Sequence, residues 1–483
     1  MPRIRHRRIE ALRRTLSVEI PLPPPEVILP PFVGDGFRLT GADNRLVINH
    51  TAVPANNFVG LPESKITTTR AGTAYYYDAA LILQVAPINA LRRDRDPRLP
   101  HPGFLIERQV TNNLLQSNSL YISHHVPATG GSGTFLDGET IQATGGGTGI
   151  YRAAASDAGT LAISNGTGTW TLGSPITGLT SGATRSSANN YVAVWVASGL
   201  TFQKNQTGPD GIINSAIQLT ASGATGTVTQ SHSSPSIPNV VSAFIKRISG
   251  TSPIEMEVVA GTWVPVTVGS EWTRCDIPPA TTTTPVPGLR ILTPPGETDV
   301  IAVWCMQNES YGISSPIPTI ITAVTRAADS PKMAVALWPY NVLEGTLYAK
   351  TVHMATTTNG SNSQWSIDDN TSSKGINAQR NFSSKVMEGN LYNTAQQALI
   401  VSAATIVGLE VCKTAMGYKL NNTGFSYNGE ATQVDTVCTI PTCLSATFGG
   451  RGSNTINLCG WLLEAEYRPI RETDLQLSAR TVL

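Results

Sequence analysis

Charged side chains are scarce in this chain of 483 residues: Asp, Glu, Lys and Arg make up 14%, and they nearly cancel to a net +1. A protein that grips nucleic acid or an anionic membrane with its whole surface is usually more basic, so neither partner is expected. No apolar run reaches the ~18 residues that mark a candidate membrane-spanning helix, and no span is expected. The N-terminus is basic but lacks the apolar run and small-residue cleavage site of a secretory leader, so export is expected by another route, if at all.

Cysteine is limited to six positions: Cys275, Cys305, Cys412, Cys438, Cys443 and Cys459. A chain of this length does not need disulfides to hold a core. No Cys-x-x-Cys pair and no zinc-like Cys/His spacing occurs. Free, mostly buried thiols are therefore expected, and spacing leaves open one bridge within Cys412, Cys438, Cys443 and Cys459.

Signatures of chemistry are missing too. There is no Gly-x-Ser-x-Gly elbow. Gly145-Gly-Gly147 lacks the Gly-Lys-Ser/Thr ending of a phosphate loop. His124 and His125 are neighbours, a poor arrangement for sharing one metal. Asp368, Asp369 and Asn370 lack the spaced ligands and glycine of a calcium loop. Cleaving a glycan needs a pair of carboxylates flanking the bond. Glu255 and Glu257 lie on one strand face and Asp368 and Asp369 share a Ser/Asn loop, with nothing to mark either pair as buried together. No catalytic residue, metal or cofactor is expected, and the chain reads as a non-enzyme.

Turn residues are abundant, with 43 Gly and 32 Pro. Gly and Asn reach positive φ and Pro presets turn geometry, so this mix suits short strands joined by many turns. At 40% hydrophobic residues the chain can still bury real cores. The fold class is all-β: tandem antiparallel β-sandwiches of jelly-roll type, with a small inserted β-domain and an extended N-terminal arm.

Four segments follow from the patterning. Residues 1–31 form a basic arm, in which Arg3, Arg5, Arg7, Arg8, Arg13 and Arg14 face only Glu10 and Glu19 before a run of prolines from Pro21 to Pro31 imposes an extended tether. Residues 32–129 with 191–329 form a first sandwich, with alternation at Phe37-Arg-Leu39, Tyr191-Val-Ala-Val-Trp195 and Val300-Ile-Ala-Val-Trp304. Residues 130–190 are an insertion with an internal repeat: Gly133-Thr-Phe-Leu-Asp-Gly-Glu-Thr-Ile141 is echoed 35 residues later by Gly168-Thr-Trp-Thr-Leu-Gly-Ser-Pro-Ile176. Two matching units suggest a small barrel or sandwich. Residues 330–483 form a last sandwich, with Thr473 placed to cap a short terminal helix.

Within the first sandwich, Arg92-Arg-Asp-Arg-Asp-Pro-Arg98 reads as a solvated loop of self-neutralising charge. Glu107 stands inside an apolar strand and needs a partner, with a nearby arginine the obvious candidate. Trp195, Trp272, Trp304 and Trp461 read as core. Trp365, beside Asn362, Ser363, Gln364 and Asp368, has the polar company of an exposed sugar platform, which makes Trp365 and Asp368 the candidate glycan-binding pair.

A resemblance is carried by several short motifs. They are Arg70-Ala-Gly-Thr-Ala74, Gly103-Phe-Leu-Ile-Glu107 through Thr111-Asn-Asn-Leu-Leu-Gln-Ser117, Pro209-Asp-Gly211, Ser242-Ala-Phe-Ile-Lys246, Trp272-Thr-Arg274, Ile301-Ala-Val-Trp-Cys-Met-Gln-Asn-Glu309, Ser315-Pro-Ile-Pro-Thr319 and Thr325-Arg-Ala-Ala-Asp329. Together they resemble a family of tailed-bacteriophage virion proteins, the tail fibres and minor tail proteins, over residues 67–329 apart from the insertion. The resemblance implies a carbohydrate-binding-like jelly roll there. Leu343-Glu-Gly-Thr-Leu-Tyr348 and the ending from Gly460 to Gln476 resemble the concanavalin- or laminin-G-like sandwiches of such fibres.

The resemblance implies a structural virion component assembled in the host bacterial cytoplasm. A tail fibre or appendage, a homotrimer anchored by its arm to a tail adaptor, nozzle or capsid and turned toward a host-surface glycan, is the leading expectation. The alternatives are a capsid decoration or head-fibre protein and a host-glycan depolymerase. Deleting residues 1–31 is expected to leave soluble protein that no longer joins particles, scored by the protein content of purified virions; undiminished incorporation contradicts an anchoring arm.

Overall fold

The computed structural model describes residues 34–51, 57–156, 159–188, 192–354, 361–381, 383–406, 409–452 and 457–483. The arm of residues 1–31, with its six arginines, lies outside them. The protein is all-β, built from antiparallel sheets, with a single α-helix among the described residues, Asp474–Thr481. Thr473 caps that helix: its hydroxyl accepts from the Gln476 amide while the Gln476 side chain accepts from the Thr473 amide, a reciprocal capping box.

The C-terminal sandwich pairs a ten-stranded sheet with a seven-stranded one. It draws on both halves of the chain, which corrects the assignment of residues 32–66 to the first sandwich. Strand Gly36–Thr40 pairs on one side with Arg45–Asn49 and on the other with Gly460–Arg468. Thr67–Thr69 pairs with Ser330–Ala334, and Gly103–Ile106 pairs with Gly460–Arg468. The physical reason is local. Phe37 and Leu39, with Leu46 and Ile48, give the early hairpin one apolar face, and a lone hairpin cannot bury such a face. Phe37 instead sits edge-on to Trp338 (ring centroids 5.0 Å apart) and Trp365 (5.8 Å) in the C-terminal core.

The central sandwich stacks a five-stranded sheet on a six-stranded one. Its longest strands, Ile237–Ser249 and Thr298–Ser310, pair along most of their length. Ile217, Leu219, Val241, Ile245, Ile301 and Val303 alternate into the shared core. The outer face of the six-stranded sheet is covered by the hairpin Ala74–Tyr77 and Leu83–Ala86, where Tyr75 meets Trp304 at 5.7 Å between ring centroids. All three tyrosines of that hairpin are half-buried.

The insertion closes on itself. Strands run in the order Thr160–Thr167, Thr148–Tyr151, Thr140–Ala143, Pro175–Gly178, Thr184–Ser187 and Ile122–Ser132, and the last pairs back with the first. The barrel thus begins at Ile122, before residue 130, and Val192–Ala193 adds to its outside. The internal repeat sets its symmetry. The same 35-residue offset carries Ile141 onto Ile176 and Ala143 onto Gly178, and the registered pairs are Ile141 with Gly178 and Ala143 with Ile176. The two halves therefore meet about a local two-fold axis, with Phe135 and Trp170 as equivalent core residues.

The two sandwiches meet over a buried ionic knot. Arg70 reaches Asp329 at 2.8 Å, Arg92 reaches Glu107 at 2.7 Å and Asp329 at 2.5 Å, and Arg326 pairs with Glu107. Ser315 donates to Glu107 from both its amide (2.5 Å) and its hydroxyl (2.7 Å). All five charged side chains are almost completely buried. Glu107 has the arginine partners that its apolar strand demanded. Arg92, Asp94 and Asp96, by contrast, are buried. The solvated-loop reading of residues 92–98 is corrected, because the strand pair Arg93–Asp94 and Gly103–Ile106 carries this run inward. All six cysteines are free and buried, so no bridge forms in the C-terminal group.

Removing one member of a buried ion pair leaves an uncompensated charge, at a cost of about 3–5 kcal/mol. Glu107→Ala is expected to lower stability by that amount, read as a fall in the urea midpoint; a change within error contradicts the knot's role. Burial alone would raise the Glu107 carboxyl, but Arg326 and Arg92 overcome it and hold it at about 2, against an ordinary 4.5. A carboxyl depressed by folding contributes stability above its unfolded pKa and loses it as pH falls toward the folded value. Wild-type stability is therefore expected to drop between about pH 4.5 and pH 2, and Glu107→Gln to flatten that drop in an acid titration followed by circular dichroism.

Candidate functional site

Trp365 and Asp368, chosen for their polar neighbours, lie on strand Asn362–Asp368, every residue of which is buried. Trp365 stacks on Phe448 at an interplanar angle of 5°, inside the sandwich. Asp368 accepts from the amides of Asn370 (2.9 Å) and Gly452 (3.0 Å), and from Ser366 at 2.5 Å. Neither can meet a sugar. Their polar neighbours misled the sequence reading because these groups satisfy one another internally: Gln364 donates to Thr351 at 2.6 Å, and Ser363 to the Gly450 carbonyl at 2.9 Å. Trp195, Trp304 and Trp461 are buried, and Trp272 is half-buried against the outer aromatic cluster.

A pair of carboxylates does come together, at Asp94 and Asp96. Asp94 accepts from the Trp461 indole and from the Tyr77 amide, each at 2.6 Å. Asp96 holds Arg98 by a two-point contact at 2.7 and 2.8 Å. Burial, then the neighbouring Asp96 charge, push the Asp94 carboxyl up to about 7. A carboxyl titrating near neutrality is suited to proton transfer. The adjoining cavity, bounded by Tyr77, Arg274 and Trp461 among others, measures about 20 Å³. That is room for one water and not for a sugar ring.

A larger opening lies where the barrel meets the central sandwich. It measures about 600 Å³ and is lined by Tyr121, Asp137, Arg152, Phe202, Gln203, Lys204 and Asn214. Small-molecule sites commonly have volumes of ~300–1,000 Å³ and combine apolar rings with a few placed polar groups. The barrel supplies one wall. Tyr121 immediately precedes its first strand, and Arg152 follows strand Thr148–Tyr151. Arg152 is fixed by donating from Nε to Ser164 at 2.9 Å and lies over the Tyr121 ring, 5.8 Å from its centroid. Asp137 is held by the Ala153 amide at 2.8 Å.

The sandwich supplies the other wall through the outermost strand of its six-stranded sheet, Leu200–Gln206. Phe202 anchors this strand by packing on the core. Its register against Ala216–Ser222 breaks between Gln203 and Gln206. Such a bulge re-aims side chains, and it releases Lys204 from the ladder. Lys204 turns to donate to Ser119 at 3.2 Å, and desolvation of its ammonium end lowers its pKa although the residue as a whole is exposed. Ser119 also holds the Tyr121 hydroxyl, whose pKa burial raises. Asn214 closes the rim from a turn where its φ of 61° is one that Asn tolerates. These residues are scattered from 121 to 214 with no local motif, and the sequence reading named none of them as a site. No local signal could have found it, because the bulge that frees Lys204 and the meeting of the two modules are set by tertiary pairing.

Trp461 donates to Asp94, so its emission should report the Asp94 titration. A fluorescence transition with a midpoint near pH 7 is expected, and it should vanish in Asp94→Asn. A carboxyl raised by folding contributes stability below its unfolded value of 3.8 and loses it as pH rises through about 7. Unfolding midpoints should accordingly decline across that window in wild type more than in Asp94→Asn; superimposable curves contradict the assignment.

No family model matches the chain, and no curated protein matches it. Solved structures do. The Ruminococcus gnavus IT-sialidase CBM40 bound to alpha2,3 sialyllactose matches at 16% identity and a TM-score of 0.26, over 30% of this chain and 84% of that one. The Trypanosoma rangeli sialidase in complex with sialic acid matches at 8% identity and a TM-score of 0.24, over 73% of this chain and 61% of that one. The same sialidase with the inhibitor DANA matches at 9% identity and a TM-score of 0.25, over 93% of this chain and 94% of that one. The non-enzyme expectation is corrected here, since proteins named as sialidases, which are enzymes, stand among the matches. At these TM-scores the likeness assigns no activity, ligand or family to this chain.

Proposed function

We propose that this chain is a glycan-binding structural component of a tailed-phage virion, most simply a tail fibre or appendage. One observation carries the binding half: the open cleft of about 600 Å³, with Tyr121 and Phe202 among hydrogen-bonding side chains. Sugar rings stack their C–H faces on aromatic rings while their hydroxyls take fixed polar partners, and this cleft offers both. The virion half rests on the motif resemblance over residues 67–329. In that setting the basic arm docks on a tail adaptor, nozzle or capsid, the chain assembles as a homotrimer, and copy number multiplies weak single-site affinity. A capsid decoration or head-fibre location fits the same motifs and is separated from a tail location by imaging labelled protein on intact particles.

Cleavage of the bound glycan is a second reading, favoured by the Asp94 carboxyl near neutrality beside Asp96. It requires the Ala74–Tyr77 hairpin to move off the small cavity so that a saccharide can reach the pair. Release of reducing ends from host capsule or lipopolysaccharide, lost in Asp94→Asn, supports it; no release at any pH from 5 to 8 contradicts it.

For binding, affinity electrophoresis through a gel containing host-surface polysaccharide is the direct test. Wild type should be retarded. Tyr121→Ala should lose about tenfold in affinity, equivalent to roughly 1.4 kcal/mol. Equal retardation of a folded Tyr121→Ala variant contradicts the cleft as the site.

A further inference from the structure

The charges in the cleft are not balanced. Arg152 and Lys204 carry two positive charges against the one carboxylate of Asp137. Among the described residues, neither cation is ion-paired to a carboxylate within 4.0 Å, whereas twelve other cationic residues are paired. Both are fixed all the same. Arg152 is tied to Ser164 and lies over Tyr121, and Lys204 is tied to Ser119, which also holds the Tyr121 hydroxyl. The two cations therefore flank a single aromatic ring.

Desolvating a cation without a counter-ion is costly, and the cost is recovered when a ligand supplies the opposite charge. A guanidinium presents two parallel N–H groups that match the two oxygens of a carboxylate, a fit that a single ammonium lacks. Arg152 keeps its terminal nitrogens for this role, since its hydrogen bond to Ser164 uses Nε. Tyr121 offers the ring on which the body of a pyranose would rest.

Resting on the glycan-binding reading above, we infer that the ligand is a carboxylate-bearing saccharide whose acid group lies between Arg152 and Lys204 while its ring lies against Tyr121. Phe202 and Gln203 then meet the neighbouring sugar unit along the strand edge. Asp137, on the barrel wall, disfavours a second acid at the far end and so sets the direction in which an alternating acidic and neutral chain enters.

The test is an array of immobilised oligosaccharides, matched in length, that are neutral, carboxylate-bearing or sulfated, probed with the full chain at two salt concentrations. Carboxylate-bearing members should bind at least about tenfold more tightly than neutral ones, and raising the salt should reduce the difference. Lys204→Gln, at an exposed position where misfolding is not expected, should bring the acidic members close to the neutral ones. Arg152→Lys, which keeps the charge but removes the fork, should narrow the preference for carboxylate-bearing over neutral members. Equal binding of neutral and acidic members overturns this inference and leaves the glycan-binding reading standing. Equal binding of sulfated members overturns the carboxylate assignment. Binding to no member overturns the glycan-binding reading and this inference with it.

Discussion

Five charged side chains without solvent hold this molecule together. Arg70, Arg92 and Arg326 meet Glu107 and Asp329 at the junction of the two sandwiches. Burying any one of these charges alone would cost several kcal/mol, so each makes the others obligatory. They come from two stretches far apart in sequence, and their pairing fixes how residues 70–107 and 315–329 cross. From the knot a buried polar track continues. Asn112 donates to the carbonyls of Met306 (3.3 Å) and Ile317 (2.9 Å), Gln116 donates to that of Ala155 at 2.7 Å, and Trp195 donates to that of Leu115 at 3.1 Å. The chain then reaches Ser119 and Tyr121, so one side of the cleft continues the segment that begins at Glu107.

This explains what the short motifs are for. Arg70 opens one, Glu107 closes another, and Ser315, Arg326 and Asp329 belong to two more. Gln307 and Glu309 of the Trp-containing strand bond each other at 2.8 Å, and Gln307 accepts from the Ile317 amide at 2.6 Å. Many of the polar residues in these motifs are thus structural partners of one another. They specify how the modules join, and the candidate ligand-contacting residues lie outside them, on the inserted barrel and an edge strand.

How much was legible follows from the range of each interaction. Alternation and turn residues act locally, so the all-β class, the barrel repeat and the capped terminal helix could be read from short windows. Glu107 could be read too, because an acid in an apolar strand requires a cation wherever it comes from. The membership of Gly36–Thr40 could not, since nothing in its own sequence shows that the strand Gly460–Arg468 completes its sheet. Trp365 failed for a related reason: polar neighbours look the same whether they face water or bond each other across a core. The cleft failed most fully, because its walls come from two modules and its key lysine is exposed by a bulge that the sequence does not announce.

The most direct measurement is a structure of the chain with a bound acidic oligosaccharide. Density for a sugar against Tyr121, with its carboxylate reaching Arg152 and Lys204, is the expected result. Density on any other surface, or an empty cleft in protein saturated with a saccharide that it demonstrably binds, would contradict the central claim that the barrel–sandwich junction is where this molecule meets its ligand.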